Sequence, residues 1–133
     1  MKNESDYLKL LDSIKISKRK SSPIKVLDLF AGCGGLALGF EAAGFETIGF
    51  EMDEDAVNTY NKNLKGSCTQ QVLDINTKFP KADIVIGGPP CQPFSVNGKQ
   101  LGLKDSRDGF PIFINSVKQL KPKVFVFENV RGM

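Results

Sequence analysis

A cysteine in an unusually stiff stretch is the most reactive side chain that this sequence offers. Cys91 lies in the run Gly88-Pro-Pro-Cys-Gln-Pro-Phe-Ser95. Two prolines fix their φ angles and remove two N–H donors, so the backbone before the cysteine is rigid. Rigid presentation suits a nucleophile, and a thiolate is a strong one. The chain contains no histidine, which excludes Ser-His-Asp and Cys-His hydrolysis and histidine metal ligands.

A glycine-rich turn follows the first apolar run, Ile24–Phe30. Residues 32–37 match the pattern G-x-G-x-x-G/A, in which glycines let the backbone approach a ligand at a helix N-terminus. Glu51 follows the second apolar run, about 20 residues beyond the first glycine, where an acid accepts the ribose hydroxyls of an adenosine. Asp74, after the third run, could accept from the adenine amino group. Together these residues indicate a cofactor that contains adenosine.

The nucleotide pattern alone does not separate NAD from S-adenosyl-L-methionine, because both carry an adenosine. Asp28 lies at the start of the glycine turn. Its carboxylate would repel a pyrophosphate but not a cationic sulfonium. The sequence therefore favours S-adenosyl-L-methionine, and an NAD-dependent oxidoreductase stays open as the alternative.

A carboxyl group, Glu128, follows the last apolar run, Lys123–Phe127, and would face the same crevice as Cys91. A thiol and a carboxylic acid beside such a cofactor suggest one reaction. The Cys91 thiolate adds to C6 of a cytosine, and protonated Glu128 donates to N3, which makes C5 nucleophilic. C5 then takes a methyl group.

The elements that position these residues alternate between strand and helix along the chain. Short apolar runs between helices of about 8–12 residues are typical of βαβ units in a parallel sheet, whose ligands bind at the carboxyl ends of the strands. The predicted strands are Ile24–Phe30, Glu46–Phe50, Gln70–Leu73, Ala82–Ile86 and Lys123–Phe127, and the predicted helices are Leu36–Ala43, Asp53–Leu64 and Phe110–Leu120. We expect an α/β, Rossmann-like methyltransferase fold.

Length, charge and cysteine spacing set the remaining limits. The 133 residues fit a single domain at 24–133, preceded at 1–23 by a helix and a basic linker. A net charge of +3 permits a polyanion partner. No apolar stretch of about 18 residues and no signal peptide is present, which predicts a cytoplasmic protein with no membrane association. Cys33 and Cys68 are expected to be packing residues, and no metal site is expected.

Three motifs give the chain a family resemblance. Asp28-Leu-Phe-Ala-Gly-Cys-Gly-Gly35, Gly88-Pro-Pro-Cys-Gln-Pro-Phe-Ser95 and Glu128-Asn-Val130 occur in the order found in DNA cytosine-5 methyltransferases, which the chain resembles from about Ile24 to its end. The resemblance implies that Cys91 is the nucleophile, that Glu128 holds cytosine N3 and that the cofactor is S-adenosyl-L-methionine. It also implies a cofactor pocket, with Met52 packing on adenine, formed by Phe30, Ala31, Gly32, Gly34, Gly35, Leu36, Glu51, Met52, Asp74, Ile75 and Pro90.

The same resemblance implies a mobile loop from residue 91 to about 110 that closes on double-stranded DNA. The target cytosine must leave the base stack, because its C6 face is covered in the duplex. Gln92 and Ser95 match positions that support the flipped nucleotide. Glycines at 98, 102 and 109 would be hinges. Phosphate contacts, or a merely solvated role, are expected for Lys99, Lys104 and Arg107.

The chain departs from the family after Arg131-Gly-Met133. The family has a later arginine motif, a target-recognition region and further strands, so we expect Lys123–Phe127 to be an exposed apolar sheet edge. Two interpretations stay open: a truncated fragment, or one subunit of a split enzyme with a second subunit carrying the recognition region. The resemblance implies modification in a restriction-modification system. The alternative is an inactive remnant that retains at most weak cofactor or DNA binding.

A second class of methyltransferase, which acts on the amino groups of adenine or cytosine, is disfavoured by one motif. Such enzymes usually carry Asp/Asn-Pro-Pro-Tyr/Phe, and Gly88-Pro-Pro-Cys91 stands in its place here.

Overall fold

Five parallel strands form one sheet in the part of the chain that the computed structural model describes, residues 23–90 and 109–130. The strands are β1 (Lys25–Leu29), β2 (Glu46–Glu51), β3 (Ser67–Gln70), β4 (Ile84–Gly87) and β5 (Val124–Phe127). The helices are α1 (Gly35–Ala42), α2 (Glu54–Asn63) and α3 (Phe110–Leu120). The predicted N-terminal helix and linker at 1–22 lie outside the described residues.

The strand order is β3-β2-β1-β4-β5. The chain leaves β1 toward β2 and β3 first, and later returns to β4 on the other side of β1. In sheets with such a change of direction, ligands bind beside it, here at the carboxyl ends of β1 and β4. The predicted α/β fold is confirmed.

The sheet is covered by a different cluster of buried side chains on each face. Leu27 and Leu29 of β1 point into a cluster that also contains Phe113 of α3. Tyr60 of α2 and Ala37 of α1 belong to the second cluster. Because side chains alternate along a strand, Asp28 faces this second cluster, and it is 1% exposed.

The helix boundaries follow their local signals. The Asp53 side chain accepts a 2.8 Å hydrogen bond from the Ala56 N–H and so caps α2. Helix α3 has the bounds that the sequence predicts, with a proline in its first turn.

The prediction for β3 was wrong by three residues, because β3 pairs with β2 in the register Ile48↔Ser67 to Glu51↔Gln70. This pairing outweighs the weak apolar pattern further along the chain.

Strand β5 forms one edge of the described sheet, and its side chains are poorly covered. Val124 is 52% exposed and Phe125 is 54% exposed. The predicted exposed apolar edge is confirmed.

No helix in residues 23–90 and 109–130 has the length and hydropathy needed to cross a bilayer. Within the same ranges, no cluster of three or more acidic or cysteine side chains could hold a metal ion.

The two described cysteines differ in their environment. Cys68 is buried in the second cluster, as expected for a packing residue, and burial raises the pKa of its thiol to about 11. Cys33 is exposed, so the expectation that it packs in the interior was wrong. The glycine turn carries it away from the core, because the chain on either side follows a left-handed path.

Candidate cofactor and active site

The turn after β1 follows a path that ordinary residues rarely adopt. Phe30, Gly32 and Gly34 have φ angles of 58°, 52° and 88°, in the left-handed region that favours glycine. A Cβ at Gly34 would lie 2.7 Å from Cδ2 of Tyr60, so no larger residue fits there without displacement. The predicted strand extended to Phe30, but its positive φ ends β1 at Leu29.

Glu51 lies at the end of β2 and is held by backbone donors. Its Oε2 accepts a 2.9 Å hydrogen bond from the Gly32 N–H. Its Oε1 accepts from the N–H groups of Met52 and Asp53, at 2.8 and 3.0 Å. The first glycine of the motif and the acid that follows it in sequence therefore meet in space. The three donors fix the carboxylate beside the glycine turn.

Asp28 lies beneath the same turn with its carboxyl group buried. Its pKa is raised to about 7: burial is the main cause, a hydrogen bond from the Ala37 N–H opposes it, and the charge of Glu51 adds to it. No hydrogen-bond partner reaches its Oδ2 among the described residues. A carboxyl group with a pKa of about 7 is only partly ionised at neutral pH, so it would repel a pyrophosphate less than a fully charged carboxylate would.

Two large apolar side chains stand exposed in the segments that follow β2 and β3. Met52 is 66% exposed and Ile75 is 52% exposed. Residues 74–77 form a closed turn, in which Asp74 Oδ1 accepts from the Asn76 N–H at 2.7 Å and from the Thr77 hydroxyl at 3.2 Å. Exposed apolar side chains and a polar turn at the carboxyl end of the sheet are suited to a flat base with an amino group.

The backbone before Cys91 is packed tightly against the start of α3. The Gly109 N–H donates to the Pro90 carbonyl across 3.3 Å. A Cβ at Gly109 would lie 2.7 Å from Pro89 Cβ, 2.8 Å from Pro90 Cδ and 2.9 Å from Phe30 Cζ. The Pro-Pro segment, the glycine turn and α3 therefore meet at one point.

Glu128 follows β5 and approaches the same segment. Its N–H donates to the Gly87 carbonyl across 3.0 Å, and a Cβ on Gly88 would lie 3.0 Å from its Oε2. Asn129 Nδ2 makes a long contact of 3.5 Å with the Pro89 carbonyl. The carboxylate of Glu128 therefore stands beside the backbone that leads into Cys91.

Every described residue of the predicted cofactor pocket lies at a strand's carboxyl end, in the loop after it or, for Gly35 and Leu36, in the first turn of α1. Phe30, Ala31, Gly32, Gly34, Gly35 and Leu36 follow β1, Glu51 and Met52 end β2, Asp74 and Ile75 follow β3, and Pro90 follows β4. The other predicted site residues lie outside the described residues: Cys91, Gln92, Ser95, Lys99, Lys104 and Arg107, together with Gly98 and Gly102.

A cavity of about 390 Å³ lies at the opposite end of the sheet from the glycine turn. It is lined in part by Glu41, whose carboxylate accepts from the Thr47 hydroxyl and the Gly66 N–H at 2.7 Å and from the Lys65 N–H at 2.9 Å. Burial raises the pKa of Glu41, but these hydrogen bonds outweigh it and the net pKa is lowered. This cavity lies at the amino ends of the strands, away from the glycine turn.

Two residues of α3 that contact the 74–79 segment, Asn115 and Gln119, were not predicted from the sequence. Asn115 Nδ2 donates to the Ile75 carbonyl at 2.7 Å, and Gln119 Oε1 accepts from the Phe79 N–H at 3.1 Å. Their spacing of four residues places both on one face of the helix. That polar pair in a largely apolar helix is the signal that could have identified them.

Comparison with known proteins agrees with this arrangement. Residues 24–133 match the C-5 cytosine-specific DNA methylase family. Type II methyltransferase M.AplI of Arthrospira platensis is 52% identical over 135 residues, which cover 100% of this chain and 39% of that protein. Type II methyltransferase M.FnuDI of Fusobacterium nucleatum is 44% identical over 114 residues, covering 83% of this chain and 33% of that protein.

A solved structure shares the fold. The tRNA (uracil-54, C5)-methyltransferase of Pyrococcus abyssi, in complex with S-adenosyl-L-homocysteine, aligns with a TM-score of 0.58 at 20% identity, covering 97% of this chain and 29% of that one. This chain therefore spans well under half the length of these three proteins. It belongs to the C-5 cytosine-specific DNA methylase family, a group of S-adenosyl-L-methionine-dependent enzymes.

Proposed function

We propose that this chain supplies the cofactor-binding and cytosine-activating part of a DNA cytosine-5 methyltransferase. The reaction is methyl transfer from S-adenosyl-L-methionine to C5 of cytosine in duplex DNA. The observation that carries the proposal is the approach of the Glu128 carboxylate to the Gly88 backbone, three residues before Cys91, at the same carboxyl end of the parallel sheet as the Glu51–Gly32 hydrogen bond.

The residues around the glycine turn fit the cofactor. Glu51 is the acceptor for the ribose hydroxyls, Met52 and Ile75 offer apolar surface to the adenine, and Asp74 faces its amino group. A Cβ at Gly32 would meet nothing within 4 Å, so the space above the turn is open to a ligand. When bound, S-adenosyl-L-methionine supplies an electrophilic methyl group on a sulfonium centre.

The side chains of this protein activate the cytosine. The Cys91 thiolate forms a bond to C6. The electron pair of the C5–C6 double bond shifts toward C4 and N3, and N3 takes a proton from Glu128. C5 is then electron-rich and is the atom that receives the methyl group. Afterwards C5 loses its proton to solvent, the sulfur leaves C6 with its electron pair, and the N3 proton returns to Glu128.

The DNA must present the cytosine outside the base stack, because Cys91 can reach C6 only there. We assign the support of the flipped nucleotide to Gln92 and Ser95. Lys99, Lys104 and Arg107 are the phosphate contacts, and the net charge of +3 is compatible with a polyanionic partner.

The residues that read the DNA sequence lie, in this proposal, outside these 133 residues. The chain covers 39% and 33% of the two type II methyltransferases described above. The remaining part belongs either to the same polypeptide or to a second subunit. As a relative of type II enzymes, the assembled protein would methylate host DNA in a restriction-modification system, in the cytoplasm.

Nucleoside analysis by mass spectrometry tests the proposal. The chain, together with the region or subunit that completes it, is incubated with duplex DNA and S-adenosyl-L-methionine. The expected product is 5-methyldeoxycytidine, and a Glu128→Gln variant should form at least about 100-fold less, since a general acid contributes about 10²–10⁴-fold. Product at an amino group, N4 of cytosine or N6 of adenine, would refute the assignment. DNA that stays unmethylated would favour an inactive remnant.

A further inference from the structure

We infer that Asn115 and Gln119 of α3 are positioning residues for the adenine end of the cofactor, acting through the turn that carries Asp74 and Ile75. The inference rests on the proposed function, because it takes Asp74 as the acceptor for the adenine amino group. Neither residue belongs to the three sequence motifs.

The contacts tie one face of α3 to the whole 75–79 segment. Asn115 Nδ2 donates to the Ile75 carbonyl across 2.7 Å. Gln119 Oε1 accepts from the Phe79 N–H at 3.1 Å, and its Nε2 approaches the Thr77 carbonyl at 3.5 Å. Backbone groups of residues 75, 77 and 79 are therefore held by two side chains of one helix.

The turn itself transmits this constraint to Asp74. The Asp74 N–H donates to the Thr77 hydroxyl oxygen at 2.9 Å, and that hydroxyl donates back to Asp74 Oδ1 at 3.2 Å. Both hydrogen bonds to the carboxylate go to Oδ1, and no donor in the described part of the chain reaches Oδ2. A turn that is closed internally moves as a unit, so the direction of Oδ2 depends on how the turn is anchored to α3.

The other end of α3 is anchored at the reactive segment. Gly109, which precedes the helix, donates to Pro90 and packs on Pro89 and Phe30. Helix α3 therefore sets the distance between the adenine turn and the backbone leading to the nucleophile. Misplacement of a bound group by about 1 Å can cost about 100-fold in rate, so such a spacer matters to the reaction.

The contact from Asn115 is exposed to solvent. A solvated hydrogen bond adds little to folding, because water replaces it when it is lost. Its loss should therefore change the orientation of the turn more than the stability of the fold, which separates a positioning role from a structural one.

Calorimetry with two ligands, on the chain together with the region or subunit that completes it, tests the inference. The ligands are S-adenosylhomocysteine and its deamino analogue, in which hydrogen replaces the adenine amino group. The wild-type chain should prefer S-adenosylhomocysteine by about 10-fold, as expected for one hydrogen bond to a carboxylate. Asn115→Ala and Gln119→Ala should reduce that preference to about 3-fold or less while leaving the melting temperature nearly unchanged.

Asn63→Ala is the matched control. Asn63 Nδ2 makes an equally short, exposed hydrogen bond to the Thr59 carbonyl, 2.7 Å, in α2. It should keep the full preference. In an Asp74→Asn background the Asn115→Ala change should have no further effect on the preference, because both act on one contact.

The outcomes separate the two proposals. If Asp74→Asn removes the preference but Asn115→Ala and Gln119→Ala keep it, the positioning role is refuted and the proposed function stands. Equal loss of both ligands together with a lower melting temperature would show a structural role and would also refute it. Failure of the completed wild-type protein to bind either ligand would count against the cofactor assignment and, with it, the inference.

Discussion

The Glu51 carboxylate accepts a 2.9 Å hydrogen bond from the Gly32 N–H across 19 residues of sequence. The bond joins the end of β2 to the turn after β1, so the glycine turn is shaped by the acid before any ligand binds. With its further acceptor contacts to the N–H groups of Met52 and Asp53, Glu51 is fixed in place by the backbone. Preorganisation of this kind lowers the cost of ordering on binding.

Replacing Glu51 by glutamine should weaken S-adenosylhomocysteine binding by about 10- to 100-fold, since hydrogen bonds to a charged acceptor contribute about 1.5–3 kcal/mol. Calorimetry on the chain measures the change. Glu54→Gln, an exposed acid three positions further on, is the control and should bind like the wild type. Equal affinity of the Glu51→Gln variant and the wild type would contradict the assigned role.

The buried carboxyl group of Asp28 should make the stability of the fold depend on pH. Its pKa is about 7 in the folded chain and 3.8 when unperturbed. Between these values the folded state keeps a proton that the unfolded state has lost, so the free energy of unfolding should fall as pH rises from about 4 to about 7 and then level off. The total effect is of the order of a few kcal/mol.

Urea denaturation at pH 5.5 and pH 8 checks this dependence. Asp28→Asn removes the titrating group and should be more stable than the wild type at both pH values, and by a larger margin at pH 8, because the unfolded wild-type chain has already lost its Asp28 proton at pH 5.5. Asp55→Asn, exposed on α2, should keep the wild-type dependence. Parallel pH dependence in the wild type and Asp28→Asn would show that the buried carboxyl group is not its source.

Much of the fold could be predicted from the sequence, because the strongest signals are local. The proline in the first turn and the apolar periodicity defined α3, and the Asp53 cap defined the start of α2. The edge position of β5 was also predictable. Strand β3 was misplaced, because its limits depend on pairing with β2 rather than on its own composition.

The site was predictable only where a motif carries it. Glu51 could be assigned from its separation along the sequence from the glycine turn. Glu41, which lines the separate cavity at the amino ends of the strands, was not predicted because its partners, Thr47 and the N–H groups of Lys65 and Gly66, come together only in the folded chain. The burial of Asp28 was missed for the same reason: the side chain faces a cluster formed by two later helices.

Gly109→Ala should destabilise the chain by about 1–3 kcal/mol, because the new methyl group would overlap Pro89, Pro90 and Phe30. The φ angle of −77° at this position suits alanine, so the effect is purely one of crowding. Gly39→Ala is the control. Its Cβ meets nothing within 4 Å, and in the middle of α1 it should stabilise by about 0.5–1 kcal/mol. Urea denaturation measures whether each change lowers or raises the free energy of unfolding. Stabilisation by both changes would refute the packing of Gly109 against Pro89, Pro90 and Phe30.

The exposed edge strand should promote self-association of the purified chain. Val124→Lys places a charge on β5, a feature that blocks edge-to-edge pairing, and sedimentation velocity should show a smaller associated fraction than for the wild type. Val72→Lys is the control, since Val72 is 74% exposed but lies outside the strands. If both variants lower association equally, general charge rather than the β5 edge is the cause.

The central claim is that Cys91 attacks the cytosine, and trapping with 5-fluorocytosine tests it most directly. Fluorine at C5 cannot leave as a proton does, so the sulfur–C6 bond persists and joins protein to DNA. The completed methyltransferase, with S-adenosyl-L-methionine and 5-fluorocytosine duplex DNA, should give a covalent complex on a denaturing gel. Cys91→Ser should abolish it, and Cys33→Ser, which changes an exposed cysteine, should retain it. A complex that survives Cys91→Ser would contradict the account.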